Sequence, residues 1–364
     1  MQTFRASEIE SLLSKSIGHY LRGIQDAEDA GHIQLHGTGA VERLERKLCR
    51  HFGVRHALCV SNCTTGLLAV ALALNLRNHE IIVPPLLYGA SISGLLLLGN
   101  RLRFCDVDPE TLTLDPNAVR NSIGSHTRAI LAVDLYGVPC NSSGLRQIAD
   151  ECGLHYISDS AQSLGASIQG RPSGSLADAC VVSFTSGKTL FAGEGGAVMT
   201  DNTELYRRLL WFTQHPHRQR REIGLATYNE VNLNGRIHPI SAIWADTIFD
   251  DSLVALREWQ QNCFRLIGCL NGVGMSEPIT FQKARITPSF FRVTASMLDG
   301  CEPRELSEAV ARHGFPVDIQ HSPITPIYRS PVFRLQFARR VAGTELCPVA
   351  EDQATRRISI RLRR

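Results

Sequence analysis

The chain has no long hydrophobic run. Its longest apolar stretch, around Leu95 to Leu98, falls far short of the roughly 20 residues a membrane-spanning helix needs, so no membrane partner is expected. The N-terminus, Met-Gln-Thr-Phe-Arg-Ala-Ser-Glu, is too polar for a secretory signal, and the expected location is the cytoplasm. Net charge is only +3, which gives no bulk electrostatic case for nucleic acid. The 11 cysteines include no CxxC pair and no zinc-type spacing. Scattered and odd in number, they point to a reducing compartment, to buried thiols and to no metal site. No repeat and no low-complexity segment is present.

What remains is an ordinary globular composition, 43% hydrophobic and 20% charged, in a chain of 364 residues. That length exceeds what one compact core usually holds. It predicts a large domain over 1–250 and a smaller one over 251–364, with the first ~30 residues packing on the smaller unit.

From about residue 55 short apolar runs alternate with helical patterns. Strands are expected at 57–60, 81–83, 102–105, 129–133, 155–158, 180–184 and 196–200. Helices are expected at 65–75, 89–98 and 142–152. Buried strands alternating with helices predict an α/β fold with a mostly parallel sheet sandwiched by helices. The tail differs. Pro303 to His313 reads as an amphipathic helix, and Phe290–Val293 and Ile358–Ile360 as half-exposed strands, so a small α+β unit is expected there.

Ligands of such a sheet sit beyond the carboxyl ends of its strands. Asp159, Ser183 and Lys188 all fall there. An acid after an apolar strand, then a lysine in a Ser/Gly loop, then Gly193-Glu194-Gly195-Gly196, is the order a pyridoxal phosphate (PLP) enzyme needs. The lysine amine condenses with the cofactor aldehyde, and the acid keeps the pyridine nitrogen protonated. Ser61-Asn62-Cys63-Thr64-Thr65 lies between a strand and its helix, where free N–H groups and a hydroxyl favour a phosphate. Each element alone has a plainer reading, as a solvated lysine, a turn acid or a helix cap.

In this order and with these flanks, residues 39–245 resemble the DegT/StrS-type sugar aminotransferases, a branch of the fold-type I PLP enzymes. The last hundred residues match loosely. The resemblance implies that Thr64 and Thr65 hold the cofactor phosphate together with Ser183. It implies that Tyr88 stacks on the pyridine face, that Asp159 meets the ring nitrogen and that Gln162 lies over the phenolic oxygen. Lys188 carries the cofactor and then moves the proton. Asn234, in Asn234-Gly235-Arg236, is expected to reach the cofactor phosphate of a neighbouring subunit, which makes the protein a homodimer with shared sites. Cys63 stands where the family has Gly, and a helix end there suggests a reactive thiol.

His215, Arg218, Arg236 and His321 are the expected substrate contacts, since arginines suit a carboxylate or phosphate. The basic loop of 214–221 reads equally well as a solvated surface. The implied activity is amino transfer from glutamate or glutamine to a keto sugar or sugar-like cyclic ketone, with pyridoxamine phosphate as the half-reaction form. Two alternatives stand beside it. One is a dehydratase or an aromatic-amine synthase of the same family, the other a non-catalytic cofactor-binding regulator.

Overall fold

The computed structural model describes residues 35–362, except 225, 227, 282–284, 323 and 344–345, together with Ser14 and Gly18. The expected packing of the N-terminal ~30 residues falls outside this range.

The first half of the chain alternates strand and helix. Helix α1 (Ala40–Phe52) leads to β1 (His56–Val60), α2 (Cys63–Ala73), β2 (Glu80–Val83), α3 (Ala90–Leu97) and β3 (Arg101–Phe104). Then come α4 (Pro116–Ser122), β4 (Thr127–Val133), α5 (Ser142–Cys152), β5 (His155–Asp159) and the short β6 (Ser167–Ile168) and β7 (Arg171–Pro172). Strands β8 (Ala179–Ser183) and β9 (Gly196–Thr200) complete the main sheet. These bounds lie within two residues of the sequence expectation for every strand and helix of this region named above. Local chemistry sets the helix ends. Asn62, Asp115, Asn141 and Asn202 each cap a helix start by accepting a backbone N–H.

The main sheet has seven strands in the order β1-β9-β8-β5-β4-β2-β3. Strand β9 runs antiparallel to both neighbours, and the remaining pairs are parallel. Strands β8 and β9 are buried along their whole length, as a sheet covered on both faces requires. The carboxyl ends of β5 and β8 lie side by side, through pairings such as Asp159 with Val181.

Helices α6 (Thr203–Thr213) and α7 (Pro216–Ile223) follow, then α8 (Pro239–Val273), a single helix of 35 residues. The division expected at 250 falls inside it. Its first half, with Ala242, Ala245, Ile248 and Phe249, packs with α1 residues Leu44 and Leu48 in the large core. Its second half, with Cys263, Leu266, Ile267 and Leu270, packs in a separate C-terminal core. That core also takes β10 (Ile286–Thr287), β11 (Val293–Ser296), α9 (Pro303–Arg312) and β12 (Val317–His321). After α10 (Pro331–Phe337) and α11 (Pro348–Arg356), β13 (Arg357–Leu362) enters the middle of an antiparallel β11-β13-β12 sheet.

Two expectations for the tail change. The strand begins at Val293, because Phe290 adopts a left-handed φ of 53° and lies buried in the core. Ile358 to Ile360 is fully buried, since β13 is the central strand. The segment between β12 and α11 returns to the large core. Ile327 donates its N–H to the Pro85 carbonyl at 2.9 Å, and Ala342 donates to Leu102 at 2.8 Å.

Candidate functional site

The site forms where β1, β5 and β8 end. Gly196, paired with Ser183, sits against the start of α2. A methyl group built on it would lie 2.6 Å from the Val182 carbonyl oxygen and 2.8 Å from the Cys63 nitrogen. Only glycine lets the helix approach the strand ends this closely. Asn62 caps α2 by accepting the Thr65 N–H at 2.8 Å, and Ser61 Oγ donates to Thr65 Oγ1 at 3.1 Å. The start of α2 thus carries two half-buried threonines, Thr64 and Thr65, on the positive end of a helix. Ser183 is buried, and its hydroxyl shares a 3.2 Å hydrogen bond with Thr185.

Residues Asn234-Gly235-Arg236 lie on this same turn. Ser61 donates its N–H to the Gly235 carbonyl at 2.7 Å, and a methyl on Gly235 would touch Thr65 Cγ2 at 2.7 Å. Arg236 is half-buried, and its Nε has no hydrogen-bond partner among the described residues. Asn234 is exposed, at a left-handed φ of 50°.

Asp159 is the last residue of β5 and is 4% exposed. Its carboxylate accepts the Ala161 N–H at 3.1 Å and the Cys63 Sγ–H at 3.7 Å, and takes the Ser91 hydroxyl as a third donor. Burial nonetheless holds its pKa above the usual carboxylate range. Among the described residues it forms no ion pair within 4.0 Å. Lys188 is the cation that acts on it from nearby. Burial of Lys188 lowers its own pKa, and Asp159 pulls it back upward. Cys63 is buried, and burial followed by the Asp159 charge drives its thiol well above the ordinary range. The reactive thiol expected at this helix end is therefore a protonated donor to Asp159 instead.

Lys188 lies in the loop joining β8 to β9, pinned at its base by Phe184 and Gly195 through a 2.9 Å backbone bond. Its Nζ sits 4.4 Å from the centroid of the Phe291 ring. Gln162 faces the same region and accepts the Tyr136 N–H at 2.7 Å. Tyr88 is 74% exposed, with no aromatic partner among the described residues, and its carbonyl accepts the N–H of Ser91 at 2.9 Å. One turn thus carries both the ring and a donor to Asp159.

The four expected substrate residues separate. Arg218 is 1% exposed, which corrects its reading as a substrate contact. Its guanidinium is spent on Glu45 at 2.8 Å and Glu222 at 3.0 Å, with Tyr206 at 3.4 Å. His215 caps α7 and stacks on His217 at 4.7 Å, and burial, then the Arg236 charge, lowers its pKa. It belongs with Arg236. His321 is exposed at the end of β12, and the contact toward the site runs through its neighbour Ser322, which hydrogen-bonds the Tyr136 hydroxyl.

Sequence reasoning missed Phe291, Ser91 and Tyr136. Tyr136 carried no motif, and its left-handed φ of 59° has no sequence signal of the kind Gly gives.

The donor set fits PLP. A buried carboxylate with no ion pair within 4.0 Å among the described residues suits a protonated pyridine nitrogen. A desolvated lysine suits an aldehyde. The start of α2, with Thr64, Thr65 and Ser183, suits a phosphate, as does the unpartnered Arg236 Nε. No group of three His, Cys, Asp or Glu is placed to hold a metal ion among the described residues.

Over 352 residues the chain is 30% identical to the L-glutamine:2-deoxy-scyllo-inosose aminotransferase of Streptomyces fradiae, spanning 89% of this chain and 81% of that protein. Over 186 residues it is 32% identical to GDP-perosamine synthase of Vibrio cholerae, and that match spans 51% of this chain but only 50% of the relative. The fold superposes on the X-ray structure of DesV from S. venezuelae with a TM-score of 0.75 and 25% identity, over 97% of this chain and 90% of that one. The architecture is that of fold-type I enzymes, as the resemblance implied. The sequence profile of the DegT/DnrJ/EryC1/StrS aminotransferase family matches residues 19–364, and the chain belongs to that family, whose members depend on pyridoxal phosphate.

Proposed function

We propose that this protein is a PLP-dependent aminotransferase that takes an amino group from glutamate or glutamine and gives it to a keto sugar or sugar-like cyclic ketone. The carrying observation is the buried Asp159 beside a desolvated Lys188, in a chain of this family. The S. fradiae relative, named for glutamine and an inosose, supports the choice of donor and acceptor class.

Bound PLP supplies an electron-accepting pyridinium ring. The protein's part follows from its own groups. Asp159 offers a fixed negative charge to the ring nitrogen, kept in place by Cys63, Ser91 and Ala161. Lys188 holds and moves the proton at Nζ, since burial favours its neutral, basic form. Thr64, Thr65 and Ser183 bind the phosphate, Tyr88 covers the ring and Gln162 orients it. Arg236 and His215 face the substrate side, with His321 further out. Lysine at 188 supports amino transfer over the dehydratase reading. The same reading takes a large cofactor-binding unit and a smaller C-terminal one, a cytoplasmic location, and a homodimer in which Asn234 serves the partner's site.

Purified protein with PLP should lose its visible absorbance on addition of L-glutamine or L-glutamate and release the matching oxo acid. Lys188→Ala should do neither. Full transamination by Lys188→Ala would end the proposal. For shared sites, mixing inactive Lys188→Ala with an inactive Asn234→Ala variant should restore part of the activity. No recovery after verified subunit exchange would exclude sharing.

A further inference from the structure

Phe291 is half-buried and follows directly on Phe290 of the C-terminal core, far along the chain from Lys188. Its ring centroid lies 4.4 Å from Lys188 Nζ, and Cε2 lies 3.6 Å from the position a methyl on Gly187 would take. The ring therefore packs on both the amine and the backbone of the lysine loop.

A clamp fixes it there. Ser289 donates its N–H to the Gly137 carbonyl at 3.0 Å and its hydroxyl to the Gln162 carbonyl at 2.6 Å. Arg292 donates its N–H to the Tyr136 carbonyl at 3.3 Å. On the other side, Trp259 Nε1 donates to the Phe290 carbonyl at 3.0 Å, tying the segment to α8. Two non-glycine residues in this clamp hold left-handed φ values, Tyr136 at 59° and Phe290 at 53°, while Gly137 beside Tyr136 adopts its φ of 83° freely. Strain of this kind persists only where surrounding contacts enforce it, and here the enforced result is the direction of the Phe291 ring. Gly137 is required at its position. A methyl there would lie 2.1 Å from Ser289 Oγ and 3.0 Å from the Phe291 nitrogen.

We propose that Phe291 is a positioning residue for Lys188, an aromatic platform supplied by the C-terminal unit that seats the ammonium form of Nζ by cation–π contact. Asp159 of β5 and Cys63 of α2 act on the same amine, and Arg292 lies 5.9 Å from the same ring. The ring completes the surroundings of a lysine that has no ion pair of its own within 4.0 Å among the described residues. The inference rests on the reading of Lys188 as the reactive amine, but its test does not pass through catalysis.

The chain has four lysines, so carbon-13 lysine labelling of the cofactor-free protein gives a simple spectrum, with Lys188 assigned through Lys188→Arg. The pH titration of its side chain is the readout. Phe291→Leu keeps apolar bulk and loses the π face, so the acid dissociation constant of Lys188 should rise about two- to thirtyfold, the range a cation–π contact is worth. Phe291→Tyr should restore the native midpoint, and Gly137→Ala, which displaces the platform, should follow Phe291→Leu. A ring that only fills space predicts an unchanged midpoint in Phe291→Leu, and that result overturns the proposal. A midpoint moved the other way, meaning that the ring acts by excluding water, overturns it too. Transamination can fail while this titration succeeds, or the reverse, so the two readings are separable.

Discussion

Removing Glu45 tests whether Arg218 is architecture or chemistry. The guanidinium is buried between α1 and α7, bonded through NH2 and NH1 to the two Glu45 oxygens at 2.8 and 3.1 Å. Side-chain exposure is 2% for Arg218 and 9% for Glu45, so water cannot replace the lost partner. Breaking a buried pair from one side costs about 3–5 kcal/mol. Glu45→Gln should fall at the low end. Its amide oxygen still accepts the Cys59 N–H, now bonded at 2.8 Å, and Glu222 still holds Arg218 Nε at 3.0 Å. Glu45→Ala should reach the high end, because the Cys59 N–H then loses its acceptor as well. The double variant Glu45→Met/Arg218→Met should recover most of the loss, since apolar replacement of a buried pair is often neutral. Denaturant unfolding of the native protein, Glu45→Met, Arg218→Met and the double variant gives the cycle and its coupling energy. Amino-donor and keto-substrate KM values for the double variant should stay within about threefold of native, since that difference is below about 1 kcal/mol. A loss under about 1 kcal/mol for Glu45→Ala, joined to a large rise in KM for the double variant, would refute the structural assignment.

Asp159→Asn should bind PLP yet slow the glutamine half-reaction tenfold to a hundredfold, since a charge-assisted hydrogen bond is worth about 1.5–3 kcal/mol; a near-native rate would mean another group faces the ring. Because burial raises the folded pKa of Asp159, its charged form subtracts stability above the ordinary carboxylate range. The cofactor-free Asn variant should therefore unfold at a higher temperature than native at neutral pH, with the gain vanishing as pH falls toward about 4. Gly196→Ala should cost about 1–3 kcal/mol by overpacking, and should weaken PLP binding in a fluorescence titration by moving α2 off Ser183; unchanged affinity would show that the close approach does not matter. A maleimide reagent at neutral pH should label exposed Cys152 in the native protein and leave buried Cys63 untouched until denaturant is added, as mass spectrometry of the digests would show.

The strands and helices of the large unit were legible because each is a local pattern. Val181, Val182 and their neighbours form an apolar run wherever they sit, and Asn62 or Asn202 marks a helix start by its own side chain. The residues proposed to face the cofactor stood out for the same reason, since Asp159 and Ser183 end strands and Lys188 follows one at short range. What escaped was long-range. Nothing near Arg218 in the sequence announces Glu45, 173 positions away. Phe291 sits in a segment that reads as an apolar strand but bends at Phe290, because Trp259 and Tyr136 hold its backbone. Helix α8 escaped although its buried positions, from Ala242, Ala245 and Phe249 to Cys263, Ile267 and Leu270, recur every three or four residues, because polar Ser252 and Gln260 interrupt the apolar stripe midway.

That long helix bears on modularity. At about 1.5 Å per residue it runs roughly 50 Å as one rigid rod common to both cores. Grafting the C-terminal unit of a relative onto this protein therefore means splicing inside the helix, between Leu253, which packs on the large core, and Trp259, which packs on the small one. Residues such as Ala245 and Phe249 would come from the parent of the main sheet, and residues such as Leu266 and Leu270 from the parent of the small sheet. The strap that carries Ile327 back to Pro85 must travel with the first parent, although it lies much later in the chain. Exchange between relatives is then a question of matching surfaces, and the strap is the part that a single splice in the helix would leave with the wrong parent.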